Sequence, residues 1–396
     1  METIRSAGKY IIGVLIVLTA LIAVSPVYAT SIKVPDMAAA SYLRVKESRQ
    51  IYASVTDVSG KCTAVRFRSS DTGIATVSKS GVIKGKKAGR ATITISTKET
   101  YKSKGKTKTR TIKKNLRIRV TKYRHIAHRG LQSKAPPNSK KAYQLAGKAH
   151  FWGMEADIQE SLPDENGNIQ IYVCHDLNLL NFCGVDRNLS NMTAEEIEQL
   201  RIIEGVNAEK YNQKICKLAS FLDICQKYGA VPYLDSKVEF SPQAVRMIVD
   251  MLAERGLLKK CRLVGYVDDS MSMMQSYAME VYGEAPSIIL NVNVRTNPEG
   301  RTAMEQVAYA RSMGYQGVSV NKSAINKKID KYCRDSGLEL NLWSYDDHIF
   351  SDNDGLSHHA CICICRGCNR FRGNDRPQRV FRHVSGKHHA SLRRSI

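Results

Sequence analysis

The sequence predicts a multidomain fold: a small all-β sandwich over residues 31–121, then an α/β barrel over residues 122–348. Three observations carry this. At 396 residues the chain exceeds one ordinary domain and is long enough to bury two cores. Its first third reads as short alternating strands broken by turn signals. From residue 122 strand-like runs alternate with amphipathic helical ones, the mark of α/β architecture.

Arg5 and Lys9 precede an uncharged apolar run at residues 10–24, and Val27 and Ala29 then supply the small residues that a signal peptidase requires. Residues 1–29 therefore read as a signal peptide cleaved after Ala29, and the protein as secreted or cell-surface. A retained anchor is the alternative, but the run falls short of the ~20 residues of a spanning helix. The formal net charge of +23 favours anionic polymers, membrane headgroups or phosphate-bearing substrates as partners. Of the 11 cysteines, seven (Cys62, Cys174, Cys183, Cys216, Cys225, Cys261, Cys333) show no pairing rhythm, and several lie in apolar runs where a buried free thiol is expected.

Within "GIATVSKSGVIKGKKAGRATITIST", Ile93 and Ile95 fall on one strand face and Thr92 and Thr94 on the other, with turns at Ser80-Gly81 and Ala88-Gly89. This stretch resembles the bacterial Ig-like domains of group 2, found in surface and secreted proteins. Between Lys98 and Arg124 almost every second or third residue is basic. The segment reads either as a hairpin that holds an anionic cell-envelope polymer or as an ordinary solvated face. No aromatic residues alternate with the charges as on a single-strand nucleic-acid platform, so no nucleic-acid partner is expected.

The barrel-like series comprises "YRHIAHRG", "GMEADI", "IQIYVCHD", "VPYLDS", "RLVGYV", "SIILNV", "GVSVN" and "LELNLWSY". Residues two apart on a strand share a face, so Glu155 points with Asp157 and Asp235 with Lys237. His125 and His128 are three apart and cannot both point inward; His128 is the expected site residue. In a parallel barrel the C-terminal strand ends form one rim, which would gather His128, Arg129, Glu155, Asp157, His175, Asp235 and Lys237. Two carboxylates ~5 Å apart repel by roughly 3 kcal/mol at an effective dielectric near 20. A hard divalent cation, Ca²⁺ or Mg²⁺, relieves this, with Glu155, Asp157 and Asp235 as metal ligands. Arg129 and Lys237 then suit phosphate binding, and the two histidines suit proton transfer. Together they describe metal-assisted phosphodiester cleavage.

"HRG" with a following "PNS" loop, "EAD", "VCHD" and "LDSK", in this order and spacing, resemble the glycerophosphodiester phosphodiesterases. The resemblance extends over residues 122–347 and implies a TIM-type barrel with its active site on the C-terminal rim. It implies His128 and His175 as the acid/base pair, the three carboxylates as metal ligands, and Arg129 and Lys237 on the phosphate. A glycerophosphodiester or a glycerol-phosphate polymer is the implied substrate, hydrolysed to an alcohol and glycerol phosphate, a step in lipid metabolism.

The chain departs from the family pattern in several places. Pro137 stands where Glu is usual, Asp235 replaces the commoner Glu, and Asn138 and Ser139 remain to cap the next helix. After the strand carrying Trp343 neither the usual helix nor a closing strand is recognisable. Instead residues 349–396 form a basic tail rich in Cys, His and Arg, including "CICICRGC", which reads as disordered, as a foreign or frameshifted coding segment, or as a soft metal site of unusual spacing. Two further functions stay open: a cell-surface binding protein with an inactive barrel, and phospholipase D-like action on lipid headgroups.

Overall fold

The computed structural model describes residues 30–34, 40–56, 60–266, 269–294, 296–345 and 361–364. The expected signal peptide, and the expected tail apart from residues 361–364, lie outside the described residues.

The described part of the N-terminal region is mostly β: β1 (Ser31–Lys33), β2 (Ala40–Arg44), β3 (Ser48–Gln50), β4 (Ser54–Thr56), β5 (Lys61–Cys62), β6 (Arg66–Ser69), β7 (Ala75–Val77), β8 (Val82–Gly85), β9 (Gly89–Ser103) and β10 (Lys106–Thr121). The main sheet runs β2-β10-β9-β5, with β6 also on β9, beside the smaller groups β3-β8-β7 and β1-β4. Period-two alternation buries Ile93 and Ile95 with Leu116, Ile118, Ile51 and Ile83, while Thr92 and Thr94 lie on the outward face, as the sequence predicts. The basic segment is the antiparallel hairpin β9–β10. Further along its inner face, buried Glu99 accepts hydrogen bonds from Thr30 and, at 2.6 Å, from Arg110 Nε. Such partners are what make a buried carboxylate tolerable.

The second region contains β11 (Arg124–His128), β12 (Gly153–Glu160), β13 (Ile171–Val173), β14 (Cys216–Lys217), β15 (Val231–Ser236), β16 (Arg262–Gly265), β17 (Ser287–Val292), β18 (Gly317–Asn321), β19 (Glu339–Tyr345) and β20 (Cys361–Ile364). Its helices are α1 (Lys140–Lys148), α2 (Leu180–Cys183), α3 (Ala194–Gln199), α4 (Ala208–Tyr211), α5 (Leu218–Tyr228), α6 (Pro242–Glu254), α7 (Asp269–Tyr282), α8 (Ala303–Ser312) and α9 (Lys327–Ser336). Parallel pairings lead from β11 through β12, β15, β16, β17, β18 and β19 to β20. The sheet curls far enough that β20 also pairs with β11. The link from β12 to β13 is too short for a helical crossover, so β13 returns antiparallel and stands outside the parallel series in which the sequence reading placed it.

One expectation needs correcting. No strand was recognisable beyond Trp343, yet β20 lies parallel to both β11 and β19, with Cys361 opposite Arg124 and Asn341. The Cys-Ile alternation has the period of two that a strand requires. Its unusual composition, not its pattern, concealed it.

Between the sheet and the helices the core is apolar, with Leu222, Ile248, Val249 and Leu252 packed among Leu234, Leu263, Val318 and Leu340. Inside the curl Ile126, Val231, Tyr233, Val264 and Ile289 form a second cluster, bordered by Trp343. Nearer the strand starts Tyr233 donates to Glu339 Oε1 at 2.7 Å, and Arg262 Nη2 lies 2.9 Å from Glu339 Oε2. The sandwich touches the strand starts too: the Tyr42 ring stacks 4.5 Å from His125 and 4.7 Å from Phe151. Cys174, Cys216, Cys225, Cys261 and Cys333 are buried free thiols, as expected. No helix among the described residues is long and apolar enough to cross a membrane.

Ending the chain before Cys361 would strip β11 and β19 of a shared neighbour and bare their backbone groups. The truncated protein is expected to melt about 5–10 °C lower than the full chain, or to aggregate. Parallel thermal unfolding and size-exclusion runs check this, and an unchanged melting curve would deny β20 any structural role.

Candidate active site

Strand register brings the expected residues together. His128 ends β11 directly opposite Glu155 on β12, and Asp157 lies opposite Asp235 on β15. His175 follows β13 by two residues; the Cys174 backbone N–H donates to the Asp157 carbonyl at 2.8 Å and fixes where that segment leaves the sheet. Lys237 follows β15 and reaches back over it. Carboxylate oxygens of Glu155, Asp157 and Asp235 lie within 4.8 Å of one another. His125 is buried against Tyr42 at the other end of β11, so the choice of His128 agrees with the geometry.

The turn after His128 is shaped by backbone as much as by chemistry. Arg129 and Gly130 both have positive φ, 53° and 77°. A Cβ on Gly130 would lie 2.8 Å from the Ala142 carbonyl carbon, so glycine is required there by both conformation and the close approach of α1. In the reversed chain the Arg129 backbone N–H donates to Glu155 Oε2 at 2.8 Å, and its side-chain Nε sits 3.0 Å from Asp157 Oδ2. Ser139 caps α1 by accepting from the Ala142 N–H. Asn138 does something else: its amide donates to Asp157 Oδ2 at 2.8 Å, while its oxygen accepts from the Tyr143 hydroxyl at 2.8 Å. Pro137, at the position where the family pattern has Glu, is buried, and a Cβ on Gly205 would lie 2.5 Å from its Cδ.

Charge is unevenly balanced across this cluster. At 4.8 Å each pair of ionised carboxylates costs about 3 kcal/mol at an effective dielectric of 20. Burial, reinforced by Asp157 and Asp235, pushes the Glu155 carboxyl well above its ordinary range. Burial works the same way on Asp157, but Lys237 at 3.0 Å and Arg129 outweigh it and hold this carboxyl well below the usual range. Asp235 is raised by burial despite Lys237 at 2.9 Å. Lys237 is raised in turn, its three carboxylate neighbours outweighing its burial. One carboxylate is thus firmly ionised and two resist ionisation.

Burial, with Arg129 and Lys237 nearby, pulls His128 down to about 3, which keeps the ring neutral at physiological pH. The sequence reading of His128 as a proton-transfer group rests on an unperturbed imidazole pKa of ~6.5, and burial among cations removes that assumption. His128 Nε2 lies 3.9 Å from Glu155 Oε2, and Gln132 contacts its Nδ1 at 3.3 Å. His175 is more open, and its Nδ1 meets Asp176 Oδ1 at 2.7 Å. That hydrogen bond lowers the Asp176 carboxyl.

Sequence reasoning missed Asn138 and Tyr143 as supports of Asp157, Gln132 beside His128, and Asp176 beside His175. Asp176 was visible in "VCHD" as the neighbour that could orient the histidine. The others depend on contacts no spacing rule supplies.

The profile of the Glycerophosphoryl diester phosphodiesterase family matches residues 128–365, and that of the Bacterial Ig-like domain (group 2) matches residues 30–109. Among solved structures the chain is similar to a glycerophosphodiester phosphodiesterase from Agrobacterium tumefaciens, at 17% identity over 61% of this chain and 96% of that one, with a TM-score of 0.47. It is also similar to one from Parabacteroides distasonis, at 17% identity over 57% and 85% of the two chains, TM-score 0.42. A third is a phosphodiesterase from Oleispira antarctica in complex with the product sn-glycerol-3-phosphate, at 18% identity over 61% and 92%, TM-score 0.45. No curated protein matches the chain.

The raised Glu155 carboxyl carries a stability consequence with a definite sign. Between its unfolded and its higher folded value, the fold keeps a proton that the unfolded chain has released, so stability falls as pH rises through that window. Asp157 acts oppositely, its contribution being lost only as pH falls through its depressed value. Glu155→Gln in chelator should therefore melt about 3 °C or more above the parent at pH 8, with the gap closing near pH 4, where both forms are uncharged. Added Ca²⁺ or Mg²⁺ is expected to raise the melting temperature of the parent but not of this variant, as calorimetry would read.

Proposed function

Since the chain belongs to the glycerophosphoryl diester phosphodiesterase family and carries a bacterial Ig-like domain (group 2), we propose that it is an exported, divalent-metal-dependent enzyme using His128 and His175 as its proton-transfer pair. Its reaction class is glycerophosphodiester hydrolysis. The observation that carries the finer reading is the gathering of Glu155, Asp157 and Asp235 within 4.8 Å, beside His128, Arg129 and Lys237. Closure of the curled sheet by β20 into a TIM-type barrel belongs to the same reading. So does export through residues 1–29.

The donor set fits a hard divalent cation. All three groups are carboxylates, and Glu155 Oε1 is buried without a hydrogen-bond partner, an arrangement that cation coordination would satisfy. Oxygen-only ligation favours Ca²⁺ or Mg²⁺ over zinc. Without a cation only Asp157 is firmly ionised; a bound divalent ion would draw Glu155 and Asp235 into their charged forms, and with Arg129 and Lys237 the cluster would then keep one net positive charge, which suits an anionic phosphodiester. When bound the ion would supply charge neutralisation at the phosphate oxygens.

The residues then divide the work. Arg129 and Lys237 hold the non-bridging phosphate oxygens and orient phosphorus. His128, neutral when free, accepts at Nε2 the proton of the attacking water or neighbouring glycerol hydroxyl, provided that Gln132 turns its amide oxygen toward Nδ1–H. As the new oxygen–phosphorus bond forms, the bond to the leaving alcohol breaks, and His175 delivers a proton to that oxygen from Nε2. Asp176 holds Nδ1–H and stabilises the charged ring before transfer.

The surface-binding alternative has to treat this whole constellation as inert, and nothing in its geometry supports that. A lipid-headgroup substrate has one observation in its favour: Leu180, Ile203 and Val206, on the segment after His175, are exposed at 51%, 59% and 48%. They would accommodate an acyl chain beside the same phosphate chemistry.

Purified protein should release glycerol phosphate from glycerophosphocholine in Ca²⁺ or Mg²⁺ and stop in chelator. His128→Ala and His175→Ala should each cost about a thousandfold in kcat. Lysophosphatidylcholine and sphingomyelin run beside it separate the lipid reading. Activity indifferent to chelator and to both substitutions would sink the proposed mechanism.

A further inference from the structure

The strands β2, β5, β6, β9 and β10 contain only one acidic residue, Glu99, and it is buried on the inner face against Arg110. The outer face of the same sheet is basic. Arg66 pairs across with Ser96, which pairs with Lys113; Thr92 pairs with Arg117, Lys98 with Thr111 and Lys102 with Thr107. By strand alternation Arg66, Arg68, Lys98, Lys102, Lys113 and Arg117 therefore share one face, and all six are exposed. None of them has an ion-pair partner among the described residues.

A face evolved for solubility mixes charges of both signs. Here Arg66 and Arg68 stand two residues apart, about 7 Å along their strand, while Lys98 and Lys102, and Lys113 and Arg117, stand four apart with Thr100 and Asn115 between them. Such an array repels itself unless an external anion is present. Hydroxyl and amide side chains (Thr92, Thr94, Ser96, Asn115) stand between the cations in place of aromatic ones. The face can thus hold phosphate oxygens along its length but cannot stack bases.

We propose that this outer sheet face is a docking surface for a linear polyanion with phosphodiester repeats, a polymeric form of the substrate class assigned to the barrel. The polymer's identity rests on the phosphodiesterase reading; the surface itself does not. Position defines what docking does. The face continues to Tyr42, opposite Arg119, and Tyr42 packs on His125 at the strand starts, away from His128 at the strand end. A polymer held there leaves the catalytic cluster clear. It raises the local concentration of cleavable linkages, lowering KM for long chains without altering turnover of a short diester.

The test uses the full chain with Arg66→Gln, Arg68→Gln, Lys98→Gln and Lys113→Gln combined, against a control of equal charge loss on exposed helical and loop positions, Lys148→Gln, Lys260→Gln, Lys327→Gln and Lys328→Gln. Fluorescent polyglycerol phosphate is titrated at several salt concentrations, and glycerophosphocholine hydrolysis is measured in parallel. The face variant should bind the polymer at least about tenfold more weakly with a shallower salt dependence. The control should bind like the parent, and all three proteins should hydrolyse glycerophosphocholine equally. Parent-like binding by the face variant overturns the proposal, as does equal weakening in the control. So does parent affinity for duplex DNA, at matched phosphate concentration, equal to that for polyglycerol phosphate. If none of the proteins hydrolyses glycerophosphocholine but the binding pattern holds, the catalytic reading falls and the surface stands.

Discussion

The ionised carboxylate of Asp157, buried at the end of the strand ladder, is the constraint on which the candidate site depends. A charge in that position is unstable unless cations and donors surround it. Arg129 comes to it from the turn after β11, Lys237 from the end of β15, and Asn138 from the loop before α1. Three separate chain segments are thereby fixed at one point. The phosphate-binding cations and the acid–base histidine of the proposed mechanism inherit their positions from it, since His128 and Gly130 flank the Arg129 turn.

That site rests on a stratified interior. Ile126, Tyr233, Val264 and Ile289 separate the carboxylates from the Arg262–Glu339 pair near the strand starts. The lower pair is compensated within itself, with Tyr233 adding a hydrogen bond. In the upper cluster Asp157 is compensated by Arg129 and Lys237, while burial leaves the Glu155 and Asp235 carboxyls resisting ionisation. The difference marks one end of the curled sheet as structural and the other as chemical, in keeping with the rule that parallel barrels place reactive groups at their C-terminal ends.

The sandwich makes the same kind of division between its faces. Inward, the one carboxylate of its described strands is buried and paired; outward, Arg66, Arg68, Lys98, Lys102, Lys113 and Arg117 are exposed. Contact through Tyr42 joins it to the strand starts of the curled sheet rather than to the strand ends that carry His128. Any polymer bound at the proposed docking face and any diester cut at the candidate site would thus occupy different surfaces of one protein.

Strand alternation is local, so the sequence alone determined which residues share a face: Glu155 with Asp157, Asp235 with Lys237, Ile93 with Ile95. It also showed that His125 and His128, three apart, cannot both face inward. Motif spacing supplied the family for the same reason. Tertiary structure decided what depends on distant segments meeting. Asn138 turned out to brace Asp157 rather than cap a helix, and burial among cations moved His128 far from an ordinary histidine. The four residues of β20 read as composition until β11 and β19 stood on either side of them. Pairing partners, desolvation and fields are sums over neighbours brought together by folding, and no one-dimensional spacing carries them.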